Sequence, residues 1–367
     1  MNARAFLPRG ILSAVKQDIR FCKSFDGARI AYAITGEGPP LVKAPHWLTH
    51  LEYEAGSPIW RPWIEELSRT HTLVRMDVRG CGLSERDVEF SFDHYVNDLE
   101  AVIDAAGLDR FSLLGHSQGG AVAVDYAARH PSRVGHLAVL GGYARGSLKR
   151  GLPPERLAEL EALLKLVEVA WGGENPAYRN LFSTLFAPGA TAEQINSFSE
   201  LQRRSTSPQN AVRILRSFTV IDVTQSAHRV TCPALLLHAR GDTRVPFSEG
   251  LELASLVPGA KFVPLDSDNH VLVAHDPAFS RFFAELRAFL PGRTPVSLMG
   301  LTGREGEIIE LIARGLDNTQ IAVRLGMSEK TVRNHITHIF DKLGVETRAQ
   351  AIVRAREAGL GRESRLS

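Results

Sequence analysis

Gly115-His116-Ser117-Gln118-Gly119 sets one serine among small residues, after an apolar run at 111–114 and before an Ala- and Val-rich helical pattern at 120–129. A strand, a tight turn and a helix in that order expose the hydroxyl at the turn. Gly115, Gly119 and Gly120 let the strand and helix approach closely. A serine hydroxyl is a poor nucleophile near neutral pH. It needs a base within hydrogen-bond reach, and the base needs an acid that fixes its tautomer. Asp242 follows the apolar run 234–238 through Ala239-Arg240-Gly241, and His270 follows the run 261–265 through residues 266–269. Both are thus expected just past the C-terminal ends of strands, the edge on which open α/β sheets bind ligands. Ser117, Asp242 and His270 are the candidate nucleophile, orienting acid and base. The reactant they suit is the carbonyl of an ester, lactone or thioester.

A second set of residues is suited to recognition. In a helical reading of 329–343, Val332, Ile336, Ile339 and Leu343 form one apolar stripe. At ~100° per residue, Lys330, Asn334 and Thr337 fall nearly opposite it, with Arg333 to one side and Thr331, His335 and His338 on the other flank. In a DNA major groove, Arg and Lys bond guanine edges and Asn bonds adenine. The hydroxyls and imidazoles, with Lys342 and Arg348, are suited to phosphates. For such a helix standing alone, the alternative is a solvated polar face.

The elements that must position these groups are legible as patterns. Apolar runs at 28–34, 40–44, 72–77, 111–115, 136–140, 234–238 and 261–265 alternate with amphipathic stretches, which predicts an α/β domain with a mainly parallel sheet. Runs 20–24 and 29–33 flank Asp26-Gly27 and read as an antiparallel edge hairpin. Residues from about 150 to 226 carry helical patterns without strands and read as a helical lid. Its aromatics Trp171, Phe182, Phe186 and Phe198 either line a pocket or pack the insertion onto the body. The domain is placed at 18–290, and a Pro/Gly cluster at 291–297 reads as a linker. Residues 298–361 then read as four short helices. Thr302-Gly303-Arg304-Glu305 forms a capping box, Asp317 or Asn318 opens the second helix, Ser328 caps the third and Thr347 the fourth.

These motifs carry two resemblances. The region 18–290 resembles the α/β-hydrolase family through its Gly115–Gly119 elbow, its Asp242 turn, its Asn269-His270 loop and Asp77-Val78-Arg79-Gly80-Cys81-Gly82-Leu83-Ser84, which fits D-x-R-G-x-G-x-S. The resemblance implies Ser117, Asp242 and His270 as a catalytic triad. Where that family carries His-Gly-x after its third strand, this chain has Ala44-Pro45-His46-Trp47, with His46 in place of the glycine. By position the oxyanion donors would be the backbone N–H groups of Trp47 and Gln118, and loss of one such donor costs roughly 10²–10³ in rate. His46, His116, Trp171, Phe182 and Phe186 are the expected ligand-pocket residues. The last segment closely resembles the LuxR/GerE-type helix-turn-helix through Leu301–Glu305, Ile321-Ala322, Ser328–His335 and Lys342–Val345. That resemblance implies a bacterial regulator that binds double-stranded promoter DNA as a homodimer. Residues 329–343 would be its recognition helix, with Lys330, Thr331, Arg333, Asn334, His335, Thr337, Lys342 and Arg348 at the DNA.

Composition bounds the rest. The 367 residues are 44% apolar and 23% charged, enough for two ordinary cores. No apolar run approaches the roughly 18 residues of a membrane span, and Arg4, Pro8, Arg9 and Gly10 interrupt any leader-like pattern near the start. Cys22, Cys81 and Cys232 are too few and too scattered for a disulfide framework or a spaced metal site, so a reducing cytoplasm and no cofactor or metal are expected. The net charge of +2 resides in residues 296–367, which carry 11 Lys/Arg against 9 Asp/Glu. Two functional readings follow. In one, a transcription factor senses a small molecule through its hydrolase-like domain, with or without slow hydrolysis. In the other, a serine hydrolase of esterase or lactonase type uses its DNA-binding segment for localisation or autoregulation.

Overall fold

A computed structural model describes residues 15–171, 176–291, 301–357 and 360–361. The chain divides into two units, Met1–Pro291 and Gly292–Ser367. Apart from Pro291, the expected linker 291–297 lies outside the described residues.

The first unit alternates strands and helices as its sequence pattern requires. Its strands are β1 (Asp18–Lys23), β2 (Arg29–Thr35), β3 (Pro40–Lys43), β4 (Thr72–Met76), β5 (Phe111–His116), β6 (Val134–Leu140), β7 (Ala234–Ala239) and β8 (Lys261–Leu265). They form one sheet in the order β1-β2-β4-β3-β5-β6-β7-β8. The β1–β2 and β2–β4 pairs are antiparallel and the remainder parallel. β5 and β7 are buried along their whole length. Continuous apolar sequence of this kind suits a parallel strand covered on both faces.

The covering helices are α1 (Leu51–Glu54), α2 (Trp60–Ser68), α3 (Phe92–Ala105), α4 (Gln118–Arg129), α10 (Phe247–Leu256) and α11 (Pro277–Phe289), and the helical insertion supplies the remainder: α5 (Pro154–Ala170), α6 (Pro176–Thr184), α7 (Ala192–Ser205), α8 (Pro208–Thr219) and α9 (Thr224–Ala227). The insertion thus falls between β6 and β7, where the strand alternation breaks in the sequence. Local chemistry sets its breaks. Thr191 and Gln194 form a capping box at the start of α7, and Ser207 caps α8 ahead of Pro208 in its first turn.

The D-x-R-G-x-G-x-S stretch is fastened after β4 by its own side chains. Asp77 accepts from the Leu51 and Leu83 N–H groups at 2.9 and 2.8 Å, and the Ser84 hydroxyl donates to the Asp77 carbonyl at 2.8 Å. Arg79 is fully buried. It donates to both oxygens of Asp98 at 2.7 and 2.6 Å and to Asp26 at 2.9 Å. Removing one partner of a buried pair strands the other charge. Arg79→Ala is therefore expected to lower stability by roughly 3–5 kcal/mol, read as a drop in the denaturant midpoint of the first unit. A loss below ~1 kcal/mol, the range of exposed pairs, would contradict this.

The second unit is helical: α12 (Gly303–Ala313), α13 (Asn318–Leu325), α14 (Glu329–Leu343) and α15 (Arg348–Glu357). Its caps follow the expected residues. Thr302 and Glu305 form a capping box, Asp317 caps α13, Ser328 caps α14, and the Thr347 hydroxyl accepts from the Gln350 N–H. Gly326 ends α13 in the left-handed conformation that a side chain resists. Ile308, Ile312, Ile321, Val332, Ile336, Ile339 and Leu343 share one buried cluster. No helix among the described residues is long and apolar enough to cross a membrane.

Candidate functional site

Ser117 joins β5 to α4 with φ +56° and ψ −128°, the sole positive φ of a non-glycine residue among the described residues. Such a backbone costs about 1–3 kcal/mol and persists only where its surroundings hold it. The surroundings are tight. A Cβ on Gly115 would come within 2.6 Å of both the Gly119 carbonyl and the Gly120 Cα, and one on Gly120 within 2.7 Å of Val139. The small residues singled out in the sequence are what allow the turn.

The acid and base meet at the same edge. His270 Nδ1 lies 2.7 Å from Asp242 Oδ2. A carboxylate only accepts, so Nδ1 carries the proton and Nε2 presents a lone pair. Nε2 is buried and has no hydrogen-bond partner among the described residues. Ser117 and His270 line a common small cavity. No hydrogen bond joins Ser117 to His270 among the described residues, and in catalytic sites without ligand that bond is often long or unformed. Asp242 is fixed in turn by the Arg244 and Val245 N–H groups, each at 2.8 Å from Oδ1. Burial opposes its charge. The pull of His270 and bonds from His238, His270 and the Val245 N–H outweigh that and hold the carboxyl well below the usual carboxylate range.

Of the proposed oxyanion donors, neither the Trp47 nor the Gln118 main-chain N–H has an acceptor among the described residues. The loop carrying Trp47 is pressed against the start of α4, because a Cβ on Gly119 would meet the Pro45 carbonyl at 2.5 Å. His46, in the place of the glycine, is buried and stacked on Trp60 at 4.4 Å between centroids. Burial pushes its pKa well below the usual range, so it is a neutral ring.

The remaining pocket candidates separate into two groups. Phe186 lines a cavity of about 100 Å³ together with Trp47, Ser117 and Gln118. Trp171 and Phe182 instead back Trp47, with centroids 5.9 and 5.7 Å from it, and pack the insertion onto the body. His116 and His46 line the smaller adjoining cavity of about 10 Å³ with Ser117, Phe198 and His270. His116 does more than line. Its Nε2 donates to the His270 carbonyl at 3.0 Å, and its ring stacks on that of His270 at 5.2 Å. These two contacts hold the His270 backbone and ring in place.

Sequence reasoning missed several neighbours. His238 Nε2 lies 3.5 Å from Asp242 Oδ2 and 3.0 Å from the Val245 carbonyl. Its only signal was an imidazole inside an apolar strand. Gly141, at φ +58°, lies under the base, where a Cβ would come within 3.1 Å of the His270 ring. Leu160, Leu163 and Leu164 of α5, Leu215 and Phe218 of α8, and Arg150 and Arg244 also line the larger cavity, with Tyr143, Ser147 and Thr219 among its polar groups.

In the second unit, Lys330, Thr331, Arg333, Asn334 and Thr337 are exposed on α14 and His335 is half-buried, while the Val332, Ile336, Ile339 and Leu343 stripe is buried. Two residues assigned to phosphates on the sequence are engaged inside the unit. Lys342 Nζ lies 2.7 Å from Glu305 Oε2, fastening α14 to the cap of α12. Arg348 donates to Asn318 Oδ1 at 2.9 Å and also to the Leu316 carbonyl, fastening α15 beside α13. The hydrogen bond from Lys342, with the Thr302 N–H, holds the Glu305 carboxyl down at about 2. A depressed carboxyl stabilises the fold above its unfolded pKa of about 4.3 and loses that contribution as pH falls towards its folded value. Acid unfolding of the second unit should therefore set in at higher pH for Glu305→Gln than for the native chain. Helical circular dichroism between pH 5 and 2 checks this, and superimposable acid profiles would contradict it.

Comparison with known proteins agrees with both architectures. Residues 53–276 match the family model described as alpha/beta hydrolase fold, and residues 299–355 match that of bacterial regulatory proteins, luxR family. A protein of Azorhizobium caulinodans carrying the carbamate hydrolase name RutD is 28% identical over 257 residues, covering 68% of this chain and 91% of that one. The pyrrolizixenacetamide deacetylase of Xenorhabdus hominickii is 27% identical over 274 residues, covering 72% of this chain and 95% of its own. Among solved structures, the enol-lactonase of Burkholderia xenovorans LB400 superposes with a TM-score of 0.60 at 22% identity, over 74% of this chain and 99% of that one, a likeness of fold. The chain therefore belongs to the alpha/beta hydrolase fold family and carries, after that domain, a helix-turn-helix DNA-binding domain of the luxR family of bacterial regulatory proteins.

Proposed function

We propose that the protein is a cytoplasmic DNA-binding regulator whose hydrolase-like domain binds a small ester-, lactone- or amide-like molecule at Ser117, and that occupancy there changes its affinity for promoter DNA. The observation that carries this reading is the His270–Asp242 pair at 2.7 Å, beside a strained Ser117, in a chain that also bears a luxR-family domain. In this reading Ser117 Oγ attacks the carbonyl and its proton passes to His270 Nε2. Asp242 steadies the resulting imidazolium, and the Trp47 and Gln118 N–H groups receive the oxyanion. The tetrahedral adduct collapses as His270 Nε2 gives its proton to the leaving oxygen or nitrogen, and the C–O or C–N bond breaks to free the alcohol or amine. Water, deprotonated by His270, then attacks the acyl-serine carbonyl, and the acid is released as Ser117 Oγ takes that proton back.

The relatives support the reactant class. Their names refer to a carbamate, an acetamide and an enol-lactone, each of which has a carbonyl bonded to nitrogen or oxygen. A homodimer placing two α14 helices at paired half-sites fits the second unit. Ligand binding shifts the DNA-competent population only by its differential affinity for the two states.

Labelling with a neutral fluorophosphonate tests the nucleophile. Wild type should be labelled at Ser117, and Ser117→Ala should not. Labelling elsewhere, or none, would remove the hydrolytic part of the reading. The intact acid–base pair also supports the second reading, an enzyme merely tethered to DNA. A set of esters hydrolysed without any change in DNA affinity would favour it.

A further inference from the structure

The cavity that holds Ser117 also holds a guanidinium without a counter-ion. Arg150 and Arg244 line this cavity, and Arg145 lies beside Arg150, whose Nε donates to the Arg145 carbonyl at 2.7 Å. Arg145 pairs with Glu252 at 2.6 Å, and Arg150 with Glu249 at 3.0 Å. The Arg244 side chain has no ion pair or hydrogen bond among the described residues, although it lines the cavity. Asp242 is within its electrostatic reach, but the Asp242 oxygens are already taken up by the Arg244 and Val245 N–H groups and by His270.

The placement of Arg244 is fixed twice. Its own N–H is bonded to Asp242 Oδ1, so the turn that supplies the triad acid also supplies this cation. Its guanidinium lies 5.4 Å from the centroid of the Phe186 ring, which holds it by a cation–π contact. The other walls divide by chemistry. Leu160, Leu163, Leu164, Leu215 and Phe218 offer hydrocarbon. The Arg244 residue is half-buried, and a planar carboxylate meets a guanidinium with two parallel hydrogen bonds. Glu249 is paired with Arg150, so a phosphate monoester would set about −1.5 to −2 charges against the single unpaired guanidinium of Arg244. A monoanion is the better match.

We infer that the molecule received at Ser117 carries a carboxylate, held by Arg244, on a short hydrocarbon body lying against the α5 and α8 side chains. The space of about 100 Å³ suits a body of a few carbons. This inference rests on the reading of the Ser117 cavity as the ligand site. It narrows the reactant from esters, lactones and amides in general to those that bear an acid group.

The test uses the full-length protein and follows tryptophan fluorescence, because Trp47 lines the cavity. Straight-chain acids from acetate to hexanoate are titrated alongside their primary amides, with methyl phosphate as a third probe. The best acid should bind about tenfold or more tighter than its amide. Arg244→Gln should abolish that preference, and Arg244→Lys should restore part of it. Acid and amide binding alike, no binding by any acid, tighter binding of methyl phosphate, or a preference that survives Arg244→Gln would each overturn the inference. The last outcome would place the carboxylate at the Trp47 and Gln118 N–H groups instead. Fluorophosphonate labelling of wild type, run in parallel, separates the two readings. Labelled Ser117 without an acid preference sinks the carboxylate alone. An Arg244-dependent acid preference without labelling sinks the nucleophile alone.

Discussion

Asp242→Asn is expected to slow fluorophosphonate labelling of Ser117 by about 10⁴-fold. The native carboxylate accepts the Nδ1 proton of His270 at 2.7 Å and so leaves the Nε2 lone pair for the serine proton. An Asn amide offers an N–H to Nδ1 or loses the bond, and either change puts the imidazole proton on the wrong nitrogen. The effect should be nearly pure chemistry. The Oδ1 side, which holds the Arg244 and Val245 N–H groups, can be reproduced by the Asn carbonyl. Its check is the labelling rate against the thermal midpoint of the same protein. A rate within tenfold of wild type would show that Asp242 does not set the tautomer.

Arg333→Ala and Asn334→Ala are each expected to weaken binding to the cognate promoter by about 1–3 kcal/mol while leaving random DNA nearly unaffected. Both side chains are exposed on α14, away from the buried Val332, Ile336, Ile339 and Leu343 stripe. A base contact is lost only where the right base is present, whereas a phosphate contact is lost on every sequence. Fluorescence anisotropy with the promoter and a scrambled duplex at one fixed salt concentration separates the two. Equal losses on both duplexes would assign these residues to phosphates. Lys342 belongs to a different class in this account, because its ammonium is committed to Glu305. Its removal should loosen the unit before it changes any DNA contact.

What was legible in the sequence was what local rules determine. The Ser117 elbow announces itself through crowded glycines, and Asp242 and His270 follow apolar runs that can only be strands of this sheet. The caps at Thr302, Asp317 and Ser328 are short-range hydrogen bonds, so the four helices of the second unit could be bounded closely. What escaped was set by distance along the chain. Lys342 meets Glu305 across 37 residues, and no periodicity signals that pairing. Trp171 and Phe182 are aromatic and sit in the insertion, which suits a pocket wall or packing onto the body alike. Only the fold shows that Trp47 stands between them and the cavity edge. Arg244 hid beside Asp242, where a charged turn residue ordinarily faces water. The leucines of α5 hid because apolar positions along a helix do not say whether they face a core or a cavity.

We propose that occupancy of the Ser117 cavity is communicated to DNA binding, and one titration decides it. Promoter affinity is measured for wild type and Ser117→Ala across a library of small esters, lactones and amides, including members that bear a carboxylate. At least one compound should shift the promoter affinity of wild type. A matching shift in Ser117→Ala would mean that binding is the signal, and a shift in wild type alone would mean that acylation or turnover is. Compounds that bind or are hydrolysed at Ser117 while promoter affinity stays constant would contradict the claim.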